Sequence, residues 1–246
     1  SSILTVGQES TPGLGDLPET VLELAKIRQY LPLHTHTELT GLDATKNTVL
    51  DMMQTHDWVH FACHAHQDIN DPTESGFFLS DGTLSIASIT ERSLKNKGLA
   101  FLSACQTATG DKTLTDESVH LASAMLAAGY SGVVATMWSI QDSDGPLVAG
   151  KFYEKVINGG RMDHTEAAKA LHVAVGIFEP RLGKPSSSVG FRSFISGLIK
   201  VRVCVVYLQC SIDRSSDLGK PRLAGGRIWD AGSDKMFGMF SAFLKY

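Results

Sequence analysis

Two residues in this 246-residue chain combine the types and settings needed for nucleophilic chemistry. Cys105 closes the apolar run Leu99-Ala-Phe-Leu-Ser-Ala-Cys105, and His64 follows the apolar run Trp58-Val-His-Phe-Ala-Cys63. A cysteine thiol is mostly protonated at neutral pH, so it attacks a carbonyl only with a base beside it. His64 is the candidate base. It stands 41 positions before Cys105, so the fold must bring the two together. The backbone N–H groups of Cys105 and Ala65 could then hold the oxyanion of a tetrahedral intermediate. The plainer alternative is a buried core thiol and a loop histidine.

Other clusters compete. His60, Cys63, His64 and His66 are close enough in sequence to suggest zinc. On an extended strand, however, His60 and Cys63 point to opposite faces, and no second ligand pair is evident. The expectation is therefore no metal and no cofactor, with His60 a buried histidine paired to backbone and His66 a solvated loop residue. Asp142 and Asp144 follow another apolar strand. They would lie on the same edge as Cys105 and could bind a basic substrate side chain, or else simply cap the next helix.

The elements that must carry these residues read as alternating strands and helices. Short runs at Ile3 to Gly7, Thr35 to Leu39, Trp58 to Cys63, Leu99 to Cys105 and Gly132 to Met137 suit buried parallel strands, whose carboxyl ends gather ligands and catalytic groups. Between them, Glu19 to Tyr30 has apolar residues at Val21, Leu22, Leu24, Ala25 and Ile27, and Pro32 stops it. Asp43 can cap a helix over Ala44 to Gln54. Phe77 to Leu84 reads as a hairpin turning at Asp81-Gly82, and a helix starts at Ser85. A helix from Thr115 ends at Gly129. Pro146 opens another. Asp163 with Glu166 caps a last one through Phe178. The fold class is α/β, a three-layer α/β/α sandwich with a mainly parallel central sheet.

Composition sets the outer bounds. A net charge of -4 argues against nucleic acid and acidic membranes as partners. No run approaches the roughly 20 apolar residues of a membrane helix. The four cysteines are expected as free thiols in a reducing cytoplasm. The chain opens on Ser1, without Met or a signal peptide, and reads as part of a longer or processed protein. After about Gly176 the pattern fails, apart from a β-like run at Leu198 to Leu208. The expected division is a catalytic-type domain over residues 1–178 and a divergent or poorly ordered segment over 179–246.

Four ordered motifs carry a resemblance. They are Trp58-Val-His-Phe-Ala-Cys-His64, Leu102-Ser-Ala-Cys-Gln-Thr-Ala108, Asp116-Glu-Ser-Val-His-Leu-Ala122 and Ala128-Gly-Tyr-Ser-Gly-Val-Val-Ala-Thr-Met-Trp138. With Leu4 to Gly7, Leu17-Pro18 and Leu42 to Thr45, they resemble the CHAT family, caspase-like domains associated with tetratricopeptide repeats. The form with Cys63 and Gln106 is similar to the fungal branch. The resemblance covers roughly Ile3 to Val175. It implies a caspase–haemoglobinase fold, related to caspases and separase, and cysteine peptidase chemistry with the family's His at His64 and its Cys at Cys105. It also implies a peptide substrate, basic-residue recognition around Asp142 and Asp144, and repeats elsewhere in a longer chain. Two departures stand out. Ala65 replaces the family's Gly after the His, and the closing helix and aromatic strand are not recognisable after Val175. A module that keeps the fold without turnover is the competing reading.

Overall fold

The computed structural model describes residues 1–32, 34–66, 68, 71–92, 94–103, 105–106, 117–136, 145–176, 205–209, 227–229 and 236–238. Its centre is a six-stranded sheet. In spatial order the strands are β12 (Val205–Gln209), β9 (Tyr130–Thr136), β7 (Lys97–Leu102), β3 (Trp58–Ala62), β1 (Ile3–Gly7) and β2 (His36–Thr40). Every pairing is parallel except that of β12 with β9. A run such as Trp58–Ala62 is apolar on both faces because both faces are covered.

One face packs beneath α1 (Glu19–Arg28), α5 (Gly145–Val156) and α6 (Ala167–Gly176). Trp58, Ala62, Leu99 and Phe101 meet Leu24, Ile27, Phe152 and Leu171 there. The other face packs beneath α2 (Lys46–Thr55), α3 (Ile86–Glu91) and α4 (Glu117–Ala128). There Val59, Phe61, Ala100 and Val133 meet Val49, Met53, Ile89 and Met125. This is the α/β/α sandwich expected from the alternation of runs.

A second, four-stranded sheet springs from the carboxyl edge of the first. Its order is β6 (Gly82–Ser85), β5 (Gly76–Leu79), β4 (His64–His66) and β8 (Cys105–Gln106). The runs read as single strands to Cys63 and Cys105 are thus each broken. The first leaves the main sheet at Cys63 and the second at Ser103, where the Ser103 N–H donates to the Phe61 carbonyl at 2.8 Å.

Local corrections follow the same logic. The cap of α2 is Thr45, whose Oγ1 accepts from the Thr48 N–H at 3.3 Å; Asp43 belongs to a preceding 3-10 turn. The buried face of α1 is Thr20, Glu23, Leu24 and Ile27, while Val21 and Leu22 face outward. Gly129 ends α4 as expected. Its φ is +117°, and a Cβ there would stand 1.6 Å from the Leu94 carbonyl oxygen, so only glycine fits this turn. The β-like run near residue 200 does supply a strand, β12, which closes one edge of the sheet antiparallel to β9. Two short hairpins are also described, β10 (Ile157–Asn158) with β11 (Arg161–Met162) and β13 (Arg227–Trp229) with β14 (Met236–Gly238).

At the opposite, amino-terminal edge a lysine is buried. Lys97 is 6% exposed, and its Nζ donates to the carbonyls of Gln54 at 2.7 Å and His56 at 2.8 Å. It therefore satisfies carbonyls that the end of α2 leaves unpaired, where the helix dipole favours a cation. Burial lowers its pKa, and the nearby Asp57 charge opposes that shift. Lys97→Met is expected to cost about 2–3 kcal/mol, the scale of a hydrogen bond to a charged group, measured by urea unfolding. Because the folded-state pKa lies below the unfolded value, the unfolded chain binds more protons on this side chain as pH rises toward 10.5. The wild-type stability should accordingly gain on that of the variant across this alkaline window.

Candidate active site

The site is built by register. Strands β3 and β7 are adjacent and parallel, with Phe61 opposite Leu102. Three residues further along each chain, past the breaks at Cys63 and Ser103, the strands pair again, and His64 stands opposite Cys105. Neighbouring strands are about 4.8 Å apart. The two residues singled out by the sequence are therefore direct backbone partners at the carboxyl edge. Beside them Ala65 lies in β4 with Phe77 on one side and Gln106 on the other. Asp142 and Asp144 lie outside the described residues.

His64 is buried, and its Nε2 stands 2.6 Å from the Gly15 carbonyl oxygen. A carbonyl oxygen can only accept, so Nε2 carries the proton in this contact. The other ring nitrogen, Nδ1, is buried without a hydrogen-bond partner. Gly15 belongs to the loop between β1 and α1, whose start is tied to β3 by the Gln8 N–H donating to the Ala62 carbonyl at 2.9 Å. Strands β2 and β3 flank β1 on opposite sides, which makes this the switch point where open α/β sheets form their crevice. The backbone thus fixes one tautomer of His64 and leaves Nδ1 as the basic nitrogen. Nothing in the sequence marked Gly15 beyond membership of a glycine-containing loop. Long-range ¹⁵N–¹H NMR of the neutral ring should show His64 with a protonated Nε2 and an imine-type Nδ1; the opposite tautomer would contradict this anchoring.

The remaining histidines part company. His60, four residues earlier on β3, turns into the α1/α5 layer and stacks on Phe101 with ring centroids 4.9 Å apart. Its partners are side chains, not the expected backbone. The Tyr153 hydroxyl lies 3.2 Å from Nδ1, and Glu23 Oε1 lies 3.1 Å from Nε2. The Glu23 contact is close, but its angles miss those of a hydrogen bond, and both atoms are buried without a hydrogen-bonded partner. Burial first, and then the Glu23 charge, push the Tyr153 hydroxyl well above its ordinary pKa, so it keeps its proton. His66 is half-buried against Phe78, with centroids 5.3 Å apart, rather than solvated. Cys63 belongs to the face opposite His60 and forms no disulfide. Among the described residues, no group of three His, Cys, Asp or Glu is placed to hold a metal ion. Nor is any helix among them long and apolar enough to cross a membrane.

The chain is thus a mainly parallel α/β/α sandwich that sets a tautomer-fixed His64 opposite Cys105 at the carboxyl edge of its sheet. This chain belongs to the CHAT domain family, whose sequence model matches residues 1–176. No curated protein matches the sequence. Among solved structures, the complex of the pro- and mature domains of Porphyromonas gingivalis RgpB is similar at a TM-score of 0.49 and 11% identity, over 72% of this chain and 43% of that one. The Arg-specific cysteine proteinase gingipain R is similar at a TM-score of 0.48 and 11% identity, over 72% of this chain and 42% of that one. The matched region spans less than half the length of either protein.

Proposed function

We propose that this CHAT domain is a cysteine endopeptidase of the caspase and separase type that hydrolyses peptide bonds through His64 and Cys105, with a preference for cleavage after a basic residue. The observation that carries this reading is the register pairing of His64 with Cys105, combined with a His64 ring anchored through Nε2. Cys105 Sγ attacks the scissile carbonyl carbon as its proton passes to His64 Nδ1. The C–N bond then breaks while that proton goes to the leaving amine. Water, deprotonated by the same nitrogen, hydrolyses the thioester and restores the thiol. The N–H groups of Cys105 and Ala65 are the candidate oxyanion donors. The chemistry calls for no cofactor.

Asp142 and Asp144 immediately precede α5 and are the candidate acids for a basic substrate side chain. The natural setting we propose is a fungal-type, cytoplasmic signalling or defence protein with tetratricopeptide repeats in the longer chain, and residues 179–246 form a divergent segment that lends β12 to the edge of the domain's sheet.

The test is covalent labelling by Arg and Lys acyloxymethyl ketones. Cys105→Ala should abolish labelling, and His64→Ala should slow it by about 10²–10⁴-fold, the usual contribution of a positioned acid–base group. Labelling that survives Cys105→Ala would place the nucleophile elsewhere and overturn the assignment of Cys105, and no labelling of a folded wild type would identify a binding module instead. On a fluorogenic peptide panel, Asp142→Ala or Asp144→Ala should lose roughly 2–5 kcal/mol of transition-state binding for basic peptides. Turnover of Asp-ended peptides would defeat the basic preference.

A further inference from the structure

We infer that the Gln8 side chain and the turn Thr11-Pro12-Gly13-Leu14 are positioning elements for His64, holding the Gly15 carbonyl on its Nε2. The consequence for catalysis rests on the peptidase reading above; the hold on the ring does not.

The Gly15 carbonyl belongs to the loop, residues 8–18, that joins β1 to α1. A chain of that length without regular structure samples many positions for one carbonyl. Keeping it 2.6 Å from Nε2 needs restraints within the loop. The Gln8 N–H donates to the Ala62 carbonyl of β3 at 2.9 Å, and the Leu17 N–H donates to the Glu9 carbonyl at 2.7 Å. The loop thus closes on itself beside the strand that leads to His64. The Leu14 N–H donates to the Thr11 carbonyl at 3.0 Å, and Gln8 Nε2 donates to the Ser10 carbonyl at 3.0 Å.

Gln8 is 4% exposed, although surface loops ordinarily leave their amides in water. Its Oε1 is buried with no hydrogen-bond partner among the described residues. A half-satisfied buried amide costs stability that a leucine in its place would not. Burial alone therefore does not account for a glutamine here. What the amide adds is its hold on Ser10, and through Ser10 the path of the chain into the turn.

The turn has Pro12 and Gly13 at its centre, and Gly13 has φ +82°. With the Leu14 to Thr11 bond, this is a type II turn, proline preset at the second position and a left-handed residue at the third. A Cβ on Gly13 would meet nothing within 4 Å, so the glycine answers to backbone conformation and not to crowding. Gly15 is the next residue after the turn. A change in the turn's backbone is delivered directly to the carbonyl that touches His64.

The test uses the full 246-residue chain and the His64 Nε2–H resonance. In the wild type this buried, hydrogen-bonded proton should exchange slowly with water. Gln8→Leu keeps the site filled and frees the carbonyl of Ser10, an exposed residue, to bond water. The variant should melt close to the wild type, yet its ring proton should exchange roughly tenfold faster or more, the scale of one lost hydrogen bond. Gly13→Val should have the same effect, because valine avoids the left-handed region. Gly13→Asn, which tolerates that region, should keep the proton protected. At saturating Arg acyloxymethyl ketone, the labelling rate constant should fall roughly 10–10²-fold in Gln8→Leu and Gly13→Val, as when a reacting group is misplaced by about 1 Å. The half-saturating concentration should stay unchanged.

A wild-type ring proton in fast exchange would overturn the assignment. So would folded Gln8→Leu and Gly13→Val proteins that protect the proton as well as the wild type does. If Gln8→Leu does not fold, the Gly13 pair decides, and equal protection in the Val and Asn variants overturns it. Lost protection with an unchanged labelling rate, or a wild type that is not labelled, would instead overturn the peptidase role of His64 and leave the positioning of its ring standing.

Discussion

The site depends on a register. Strands β3 and β7 must lie parallel with Phe61 against Leu102 for His64 and Cys105 to meet three residues later. A slip of one residue would place each candidate opposite the wrong neighbour and turn every buried side chain toward the other helix layer. The two faces of β3 prevent that slip. Trp58, His60 and Ala62 fit one layer while Val59 and Phe61 fit the other, and neither layer could accept the opposite set. The precision of the site is thus set by packing several residues away from it.

Much of this arrangement could be read from the chain. Strands at Ile3–Gly7 and Trp58–Ala62 declare themselves because residues buried on both faces need no polar alternation. His64 and Cys105 stood out because a polar or reactive residue at the end of such a run has a purpose beyond burial. The breaks at Cys63 and Ser103 were not readable. The residues on both sides are small or apolar, so a strand that changes partner carries the same pattern as one that continues. Thr45 and Asp43 are both good caps by chemistry, and only the packing of α2 decided between them.

Glu23 shows a different limit. Apolar residues at Val21 and Leu22 suggested the buried face of α1, yet the helix is rotated to bury Thr20 and Glu23 beside Leu24 and Ile27. Spacing of i, i+3, i+4 and i+7 fits that set, but two polar residues within it hide the pattern from a reading based on hydrophobicity. A charged residue on the inner face of a helix becomes visible only once His60 is brought beside it from 37 positions away and Tyr153, 130 positions away, is brought to that imidazole.

The breaks at Cys63 and Ser103 stand side by side, and together they form a crease between the large sheet and the small one. The rings of Phe61, on the large sheet, and Phe77, on the small one, lie parallel with centroids 4.2 Å apart. They span the crease like a clasp. His64 and Cys105 both lie on the small-sheet side of that crease and pair with each other directly, so the backbone that sets their separation does not cross it.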